Sequence, residues 1–340
     1  MPIEYVETKR MGTELIARVL HDVYGLTISK TPELMEGGTE NAAWLVETDQ
    51  GKLIAKIFSR GEGDTDWISD EAQLYLFLNE NGVHVPEISK SIKENSIETV
   101  SFNGFDFPLM IMKYENLRMA TPGIVTRQEL ELVAKQTAKM HQVLRDYPNL
   151  EVIRNRQKVD RTEAERRPID VVVESKARSF NQEQLDKFRA IEDKMMNYLD
   201  SHPVVGILSE TIIHADLSLE HTRFLPNGEV YFFDFADRKW GTIAEELGTF
   251  VETLYQWENI SFEKWEELKT AFLDAYFDVN ELTDVDKKAI EGRILIRAMG
   301  AIRYLAGLTK DNPNEGIDHW IRKGYELGDY LVDKLSSRDE

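Results

Sequence analysis

Two short runs concentrate the side chains able to do chemistry. The first, Ile212-Ile213-His214-Ala215-Asp216-Leu217-Ser218-Leu219-Glu220-His221, passes from an apolar β-like stretch into a loop carrying an acid and a histidine five positions apart. The second, Val230-Tyr231-Phe232-Phe233-Asp234-Phe235-Ala236-Asp237, is again an extended run that meets an acid. Asn227-Gly228 lies between them and suits a hairpin turn, because both residues tolerate positive φ. A hairpin there brings its ends together, so Asp216, His221 and Asp234 are expected to converge. Convergent acids at strand ends can hold a divalent cation, and oxygen donors suit Mg2+.

Phosphoryl transfer asks for three things: a carboxylate that orients or deprotonates the acceptor, metal ligands that neutralise the polyphosphate, and a lysine on its α and β phosphates. The lysine candidate is Lys56 in Leu53-Ile54-Ala55-Lys56-Ile57-Phe58, where strand alternation separates it from its apolar neighbours. Glu71, fifteen residues on, sits early in a helical pattern and is a candidate partner for Lys56.

The elements that must position these groups change character near residue 113. Before it, runs rich in β-branched and aromatic residues alternate with turn residues: Leu26 to Leu34, Ala42 to Glu47, Lys52 to Phe58, Pro86 to Ile92 and Phe105 to Met112. One helix interrupts them from about Asp66 to Asn81, with Ile68, Ala72, Tyr75, Leu76 and Leu78 as its apolar stripe and Gly82 as its stop. After it the pattern is helical: Arg127 to Leu144, Asn181 to Leu199, Glu245 to Trp257, Phe262 to Ala275, Thr283 to Leu308 and Gly316 to Leu335. The charged stretch from Pro148 to Ser179 reads as an insert or mobile connection. The expected fold class is therefore α+β, with an N-terminal antiparallel sheet lobe over residues 1–112, a connector over 113–117 and a larger helical lobe over 118–340.

Bulk composition bounds the partners. A chain of 340 residues exceeds the size at which one core usually stops growing, which favours two lobes and a ligand cleft. The absence of cysteine excludes disulfides, thiolate metal sites and thiol nucleophiles. A formal charge of −20 argues against nucleic acid; it keeps the surface solvated, and it favours a cationic acceptor if the acidity lines the cleft. The first ten residues lack the apolar run of a signal peptide and no run of apolar residues reaches spanning length, so a cytoplasmic protein without a membrane partner is expected.

Taken in order, these motifs resemble the aminoglycoside phosphotransferase and choline kinase-like superfamily of small-molecule kinases, relatives of the protein kinases. Glu36-Gly37-Gly38-Thr39-Glu40-Asn41 is similar to the loop that covers the phosphates, Met110-Ile111-Met112-Lys113-Tyr114-Glu115-Asn116-Leu117 to the lobe connector, and Ala138-Lys139-Met140-His141 to a further shared stretch. The resemblance implies a bilobal protein-kinase-like fold with Asp216 as catalytic base or orienter, Asp234 as principal Mg2+ ligand, and Lys56 as phosphate clamp held by Glu71. It places Gly38, Thr39 and Asn41 at the phosphates and the backbone of Lys113 and Tyr114 at the adenine edge. His221 stands where most of the family has an Asn as second metal ligand; some antibiotic phosphotransferases share the histidine, although imidazole suits Mg2+ less well than oxygen. In Gly241-Thr242-Ile243-Ala244-Glu245-Glu246-Leu247, Glu246 replaces the family's usual Asp. The implied activity is Mg2+-dependent transfer of the γ-phosphoryl group of ATP or GTP to a hydroxyl of a small acceptor. That acceptor is either an aminoglycoside-like antibiotic or a metabolite such as homoserine, choline or a sugar. The alternative is a catalytically silent, kinase-like nucleotide-binding module.

The remaining polar and aromatic residues have simpler expected roles. His214 anchors its loop, His141 packs or caps, and Asp237 is either a turn residue or a contact to metal or substrate. Ser218 is a loop hydroxyl, and Trp240, Tyr255 and Trp257 pack in the core. Glu245, Glu246, Glu252, Glu258 and Asp274 read mostly as acidic helix faces.

Overall fold

The computed structural model describes residues 11–35, 41–59, 65–120, 125–156, 167–175, 180–257, 260–308 and 315–337. The elements are α1 (Thr13–Tyr24), β1 (Glu33–Leu34), β2 (Ala42–Thr48), β3 (Gly51–Ile57), α2 (Thr65–Glu80), β4 (Ile88–Ser89), β5 (Glu98–Phe102), β6 (Phe105–Lys113) and β7 (Arg118–Met119). They continue with α3 (Arg127–Leu144), α4 (Leu150–Arg156), α5 (Pro168–Glu174), α6 (Gln182–Ser201), β8 (Glu210–Ile213), β9 (Thr222–Phe224), β10 (Val230–Phe232) and β11 (Lys239–Thr242). Four helices end the chain: α7 (Ile243–Trp257), α8 (Phe262–Phe277), α9 (Asp284–Leu308) and α10 (Glu315–Ser336). The fold is α+β, an N-terminal antiparallel sheet followed by a mainly helical remainder.

The chain divides into two compact units. The first comprises Met1–Arg118, Asp146–Ile153 and Arg223–Ala236; the second comprises Met119–Arg145, Arg154–Thr222 and Asp237–Glu340. The first unit thus takes in two later segments, one of them carrying Asp234, which contiguous stretches of sequence do not reveal.

In the first unit the strands run in the order β1-β2-β3-β6-β4, with β5 also paired to β6, all antiparallel. One sheet face buries Ala42, Trp44, Val46, Leu53, Ala55 and Ile57 against Ile16, Leu20 and Tyr24 of α1. The spacing of those three α1 residues is a helical stripe, and Gly25 ends the helix in the left-handed region at φ 68°. That helix is additional to the elements expected from the sequence. The expected Leu26–Leu34 strand is reduced to Glu33–Leu34 and an isolated bridge from Ile28 to Thr48; Pro32 lacks the N–H a continuous ladder would need. Likewise, the expected Pro86–Ile92 strand pairs only at Ile88–Ser89. β5 leads into β6 through the Asn103-Gly104 turn, with φ 52° and 82°, which fits a two-residue hairpin of the primed kind.

In the second unit β8 and β11 form an antiparallel pair, Ile213 opposite Lys239 and Glu210 opposite Thr242. Helices α3, α6 and α8 start on Thr126, Asn181 and Ser261, whose side chains accept backbone N–H groups of the first turn. α7 packs against α9, α3 against α8, and α9 against α10 and α5. The α7–α9 approach is close at Gly248, where a Cβ would stand 2.8 Å from the Cβ of Arg293. One turn further along each helix come Glu252 and Arg297. Within the stretch read as a connection, α4 and α5 are helical, while residues 157–166 and 176–179 fall outside the described residues.

Candidate active site

In the first unit, Lys56 points to the sheet face opposite Ala55 and Ile57, as strand alternation requires. Its Nζ donates to Glu71 Oε1 at 3.0 Å and to Asp234 Oδ1 at 3.0 Å. Glu71, in the first turns of α2, is 1% exposed. Burial works against the Lys56 ammonium, but the Asp234 and Glu71 carboxylates outweigh it and hold the group above its ordinary value. Tyr75, one turn after Glu71 on α2, donates its hydroxyl to Glu71 Oε1 at 3.3 Å and accepts the N–H groups of Asp234 and Phe235 at 3.1 and 3.3 Å.

The route of the chain to Asp234 explains its pose. The β9–β10 turn closes with Leu225 N–H on Glu229 O at 2.8 Å and Gly228 at φ 87°. β10 is then fixed by Phe232 N–H on His84 O at 2.9 Å. The extended run expected from Val230 stops as a strand at Phe232, because Asp234 turns into the left-handed region at φ 66°. A non-glycine residue pays for that conformation, and the Tyr75 hydroxyl, with the edge-on contact of Tyr75 and Phe235 at 5.7 Å, holds it there.

In the second unit, the loop after β8 makes a comparable turn, with Ala215 at φ 67°. Glu246, on the first turn of α7, accepts the N–H groups of His214 and Ala215 at 2.7 and 2.9 Å. Burial works against its carboxylate, but His141, His214 and the backbone bond outweigh it and hold the group below the usual carboxylate range. His141 is buried with Nδ1 on the Tyr276 hydroxyl at 2.7 Å, a packing position. His221 Nδ1 lies 2.6 Å from the Asp216 backbone carbonyl and 3.6 Å from its carboxylate, so that nitrogen donates into the loop. Any metal contact of His221 would have to come from Nε2.

Asp216 is 36% exposed and its Oδ1 accepts from Arg297 Nη2 of α9 at 2.9 Å. Arg297 Nε lies 3.8 Å from Glu252 Oε2 of α7, too far for a hydrogen bond. Glu252 is 0% exposed and neither of its oxygens has a hydrogen-bond partner. Burial pushes its carboxyl up to about 7, with Arg297 opposing and the charge of Asp216 adding to the rise. Glu246 and Glu252 are thus interior groups, not solvated helix faces. Tyr75, Arg297 and Glu252 were not singled out from the sequence as site residues. Tyr75 had a usable signal in its spacing from Glu71; Arg297, 81 positions from Asp216, had none.

The other expected residues are more scattered in their contacts. Asn41 accepts the Ser59 N–H on its side-chain oxygen at 3.2 Å, and Gly38 and Thr39 lie outside the described residues. The N–H groups of Lys113 and Tyr114 donate to Glu87 O and Lys52 O at 2.9 and 3.0 Å, within the sheet. A nucleotide base at this connector would have to meet other backbone groups. Tyr255 stacks on Phe262 and Trp240 lies under Arg154, while the Trp257 side chain falls outside the described residues.

Among the described residues, no group of three or more His, Asp or Glu side chains is arranged to hold a metal ion. Mg2+ does not need one, since it commonly takes one or two carboxylates and completes its shell with water and phosphate oxygens. Asp234 fits that role, with an oxygen donor 43% exposed and its backbone fixed.

The chain belongs to the phosphotransferase enzyme family (APH), whose pattern matches residues 32–286. Its fold is that of solved members of this family. Amicoumacin kinase hAmiN, solved with AMP-PNP, Ca2+ and Ami, superposes with a TM-score of 0.70 at 17% identity, over 96% of this chain and 95% of that one. A microcompartment-associated aminopropanol kinase superposes with a TM-score of 0.68 at 16% identity, over 96% and 98%. A probable serine/threonine-protein kinase BUD32 homolog of Archaeoglobus fulgidus is 31% identical over 80 residues, which span 24% of this chain and 40% of that relative. No described helix is long and apolar enough to cross a membrane.

Proposed function

We propose that the protein is a small-molecule kinase that transfers the γ-phosphoryl group of ATP or GTP to a hydroxyl of a small acceptor. The observation that carries this reading is the buried Lys56–Glu71 pair delivered to Asp234, whose strained backbone is held by Tyr75. Such a lysine, kept charged, suits the α and β phosphates of a nucleotide, and Asp234 is the residue that would hold Mg2+. A bound Mg2+ supplies further charge neutralisation on the polyphosphate.

Asp216 receives the acceptor hydroxyl, aligning it and taking its proton as the O–P bond forms and nucleoside diphosphate leaves. His221 serves the loop through Nδ1, fixing the carbonyl of the residue that does this work. Because an amicoumacin kinase and an aminopropanol kinase share the fold, amicoumacin-like compounds and amino alcohols are the acceptors to test first.

The test is ADP release by the purified chain with Mg2+ and either nucleotide, across a panel of amino alcohols, aminoglycosides, sugars and hydroxy amino acids. Acceptor-dependent release that vanishes in Asp216→Asn is expected. If no acceptor stimulates release and Asp234→Ala binds nucleotide as tightly as the native chain in the presence of Mg2+, the reading is wrong.

A further inference from the structure

We propose that Glu252 is a positioning residue that acts on Asp216 through Arg297: when ionised it draws the guanidinium off the Asp216 carboxylate, and when protonated it leaves the guanidinium there. The inference rests on Asp216 being the acceptor-facing residue.

The geometry gives Arg297 two carboxylates and a full bond to only one. Its Nη2 donates to Asp216 at 2.9 Å, whereas its Nε, buried and without a hydrogen-bond partner, stands 3.8 Å from Glu252 Oε2. Closing that gap to hydrogen-bonding distance takes a shift of roughly an ångström. The two competitors differ in what they lose without the guanidinium. Asp216 is 36% exposed and can be hydrated; Glu252 is 0% exposed and has no other donor. An ionised carboxylate buried without a donor is far more costly than an exposed one, so the ionised form of Glu252 competes for Arg297 effectively. A protonated Glu252 exerts no such pull.

The surroundings of Glu252 leave these groups in control. Arg297 faces it from α9 and Asp216 from the loop after β8. His221, in the turn that follows, is engaged on Asp216. Other charged groups at α7 are committed elsewhere: Glu246 to the His214 and Ala215 amides beside His141, and Lys323 and Glu326 to Tyr255. α8 meets α7 through Trp265 and Phe272, on Val251 and Phe250. Burial lifts the Glu252 carboxyl to about 7, so both protonation states are populated near neutrality. The Gly248–Arg293 contact one turn earlier allows the close helix approach that brings the pair into reach. Ionisation of Glu252 releases one proton to solvent and involves no other change of bonding.

The relay is tested on the whole chain without knowing the acceptor. With carbon-13 in the Glu carboxyls and nitrogen-15 in Arg, a carboxyl signal titrating near neutrality should disappear in Glu252→Gln. The Arg297 Nε signal should follow the same midpoint in the native chain and become pH-independent in that variant. Arg297→Gln should raise the carboxyl midpoint, because a cation is lost, and Asp216→Asn should lower it, because an anion is lost. Slow hydrolysis of Mg-ATP, with water as acceptor, supplies the functional arm. The native rate should climb roughly tenfold per pH unit below about 7, with a flat profile in Glu252→Gln. A fixed Arg297 signal across this range, or a Glu252→Gln profile that keeps the climb, overturns the relay. If Asp216→Asn hydrolyses ATP like the native chain, the role given to Asp216 fails instead, and the Arg297 signal still judges the relay.

Discussion

Lys56 and Arg297 are each a cation set between one buried and one partly exposed carboxylate, yet the two arrangements behave differently. Around Lys56 both contacts are 3.0 Å, and the buried partner Glu71 accepts from Lys56 and Tyr75 together. Around Arg297 the contacts are 2.9 and 3.8 Å, and the buried partner Glu252 accepts from nothing. Charge counts match, so the contrast lies in hydrogen bonding to the buried acid. A buried carboxylate with donors is a fixed part of the scaffold, whereas one without donors keeps its proton to near neutrality and is free to switch. The first arrangement suits a constant charge on a polyphosphate, the second a residue whose availability varies.

The largest expected effects separate the chemistry from this contrast. Asp216→Asn and Asp234→Ala should each cut acceptor-dependent phosphoryl transfer by about a thousandfold or more, read as initial rates of ADP release. Asp216→Asn should leave nucleotide binding nearly unchanged, whereas Asp234→Ala should weaken it in the presence of Mg2+. Equal losses of nucleotide binding in both would erase the division of roles between them.

Lys56→Met comes next and probes the fixed arrangement directly. It strips the main donor from a carboxylate 1% exposed, which should cost about 3–5 kcal/mol of stability in denaturant unfolding. The pH dependence follows from the direction of the Lys56 shift. A lysine raised above 10.5 contributes stability that is fully present below that value and is lost only at higher pH, so the cost should be flat across neutrality.

Glu252→Gln should act in the opposite sense. The folded chain holds this proton to about 7, against an ordinary value of 4.5. Its contribution is fully present below 4.5 and declines as pH rises through about 7, because the unfolded chain releases the proton first. The variant should therefore gain on the native chain between those limits, by up to about 3 kcal/mol at 1.36 kcal/mol per pH unit. Unfolding at acid and at mildly alkaline pH measures it. An unchanging difference would mean that Glu252 is already charged and that the contrast between the two arrangements is only geometric.

How much of this was legible in the sequence follows from how local each signal is. Lys56 and Glu71 were readable because strand alternation and a helix start are encoded within a few residues, and their pairing is a matter of two neighbouring elements. Asp234 was readable as the acid after an extended run, but its left-handed φ was not, since that strain is maintained by a hydroxyl from α2. The backbone near Lys113 and Tyr114 was readable as a connector, but that Glu87 and Lys52 carbonyls accept these two N–H groups is a register detail of the sheet that local spacing does not carry. α1 keeps helical spacing at Ile16, Leu20 and Tyr24, but a three-residue stripe on a twelve-residue helix is a weak local signal, and its burial depends on the sheet it covers. Glu252 is the instructive miss: acids on a helix usually face water, and only the packing of α7 on α9 buries this one.

Tyr75→Phe carries the smallest expected effect and bears most directly on the role of hydrogen bonds. The ring stays, so the edge-on packing on Phe235 is retained and no cavity opens. What is lost is one hydroxyl that donates to Glu71 and accepts the Asp234 and Phe235 amides. Lys56 still satisfies Glu71, so the cost should be near the value of hydrogen bonds left unmade, about 1–2 kcal/mol, and well under that of Lys56→Met. The Asp234 amide should exchange its hydrogen about tenfold faster, as that figure converts at 1.4 kcal/mol per factor of ten. Nucleotide affinity in Mg2+ should fall by a similar factor, because the carboxylate meant for the metal sits on a backbone no longer held at φ 66°. Were exchange at Asp234 unaffected, the left-handed turn would be stable without Tyr75, and the fixity of the Lys56 arrangement would have to come from the two ion pairs alone.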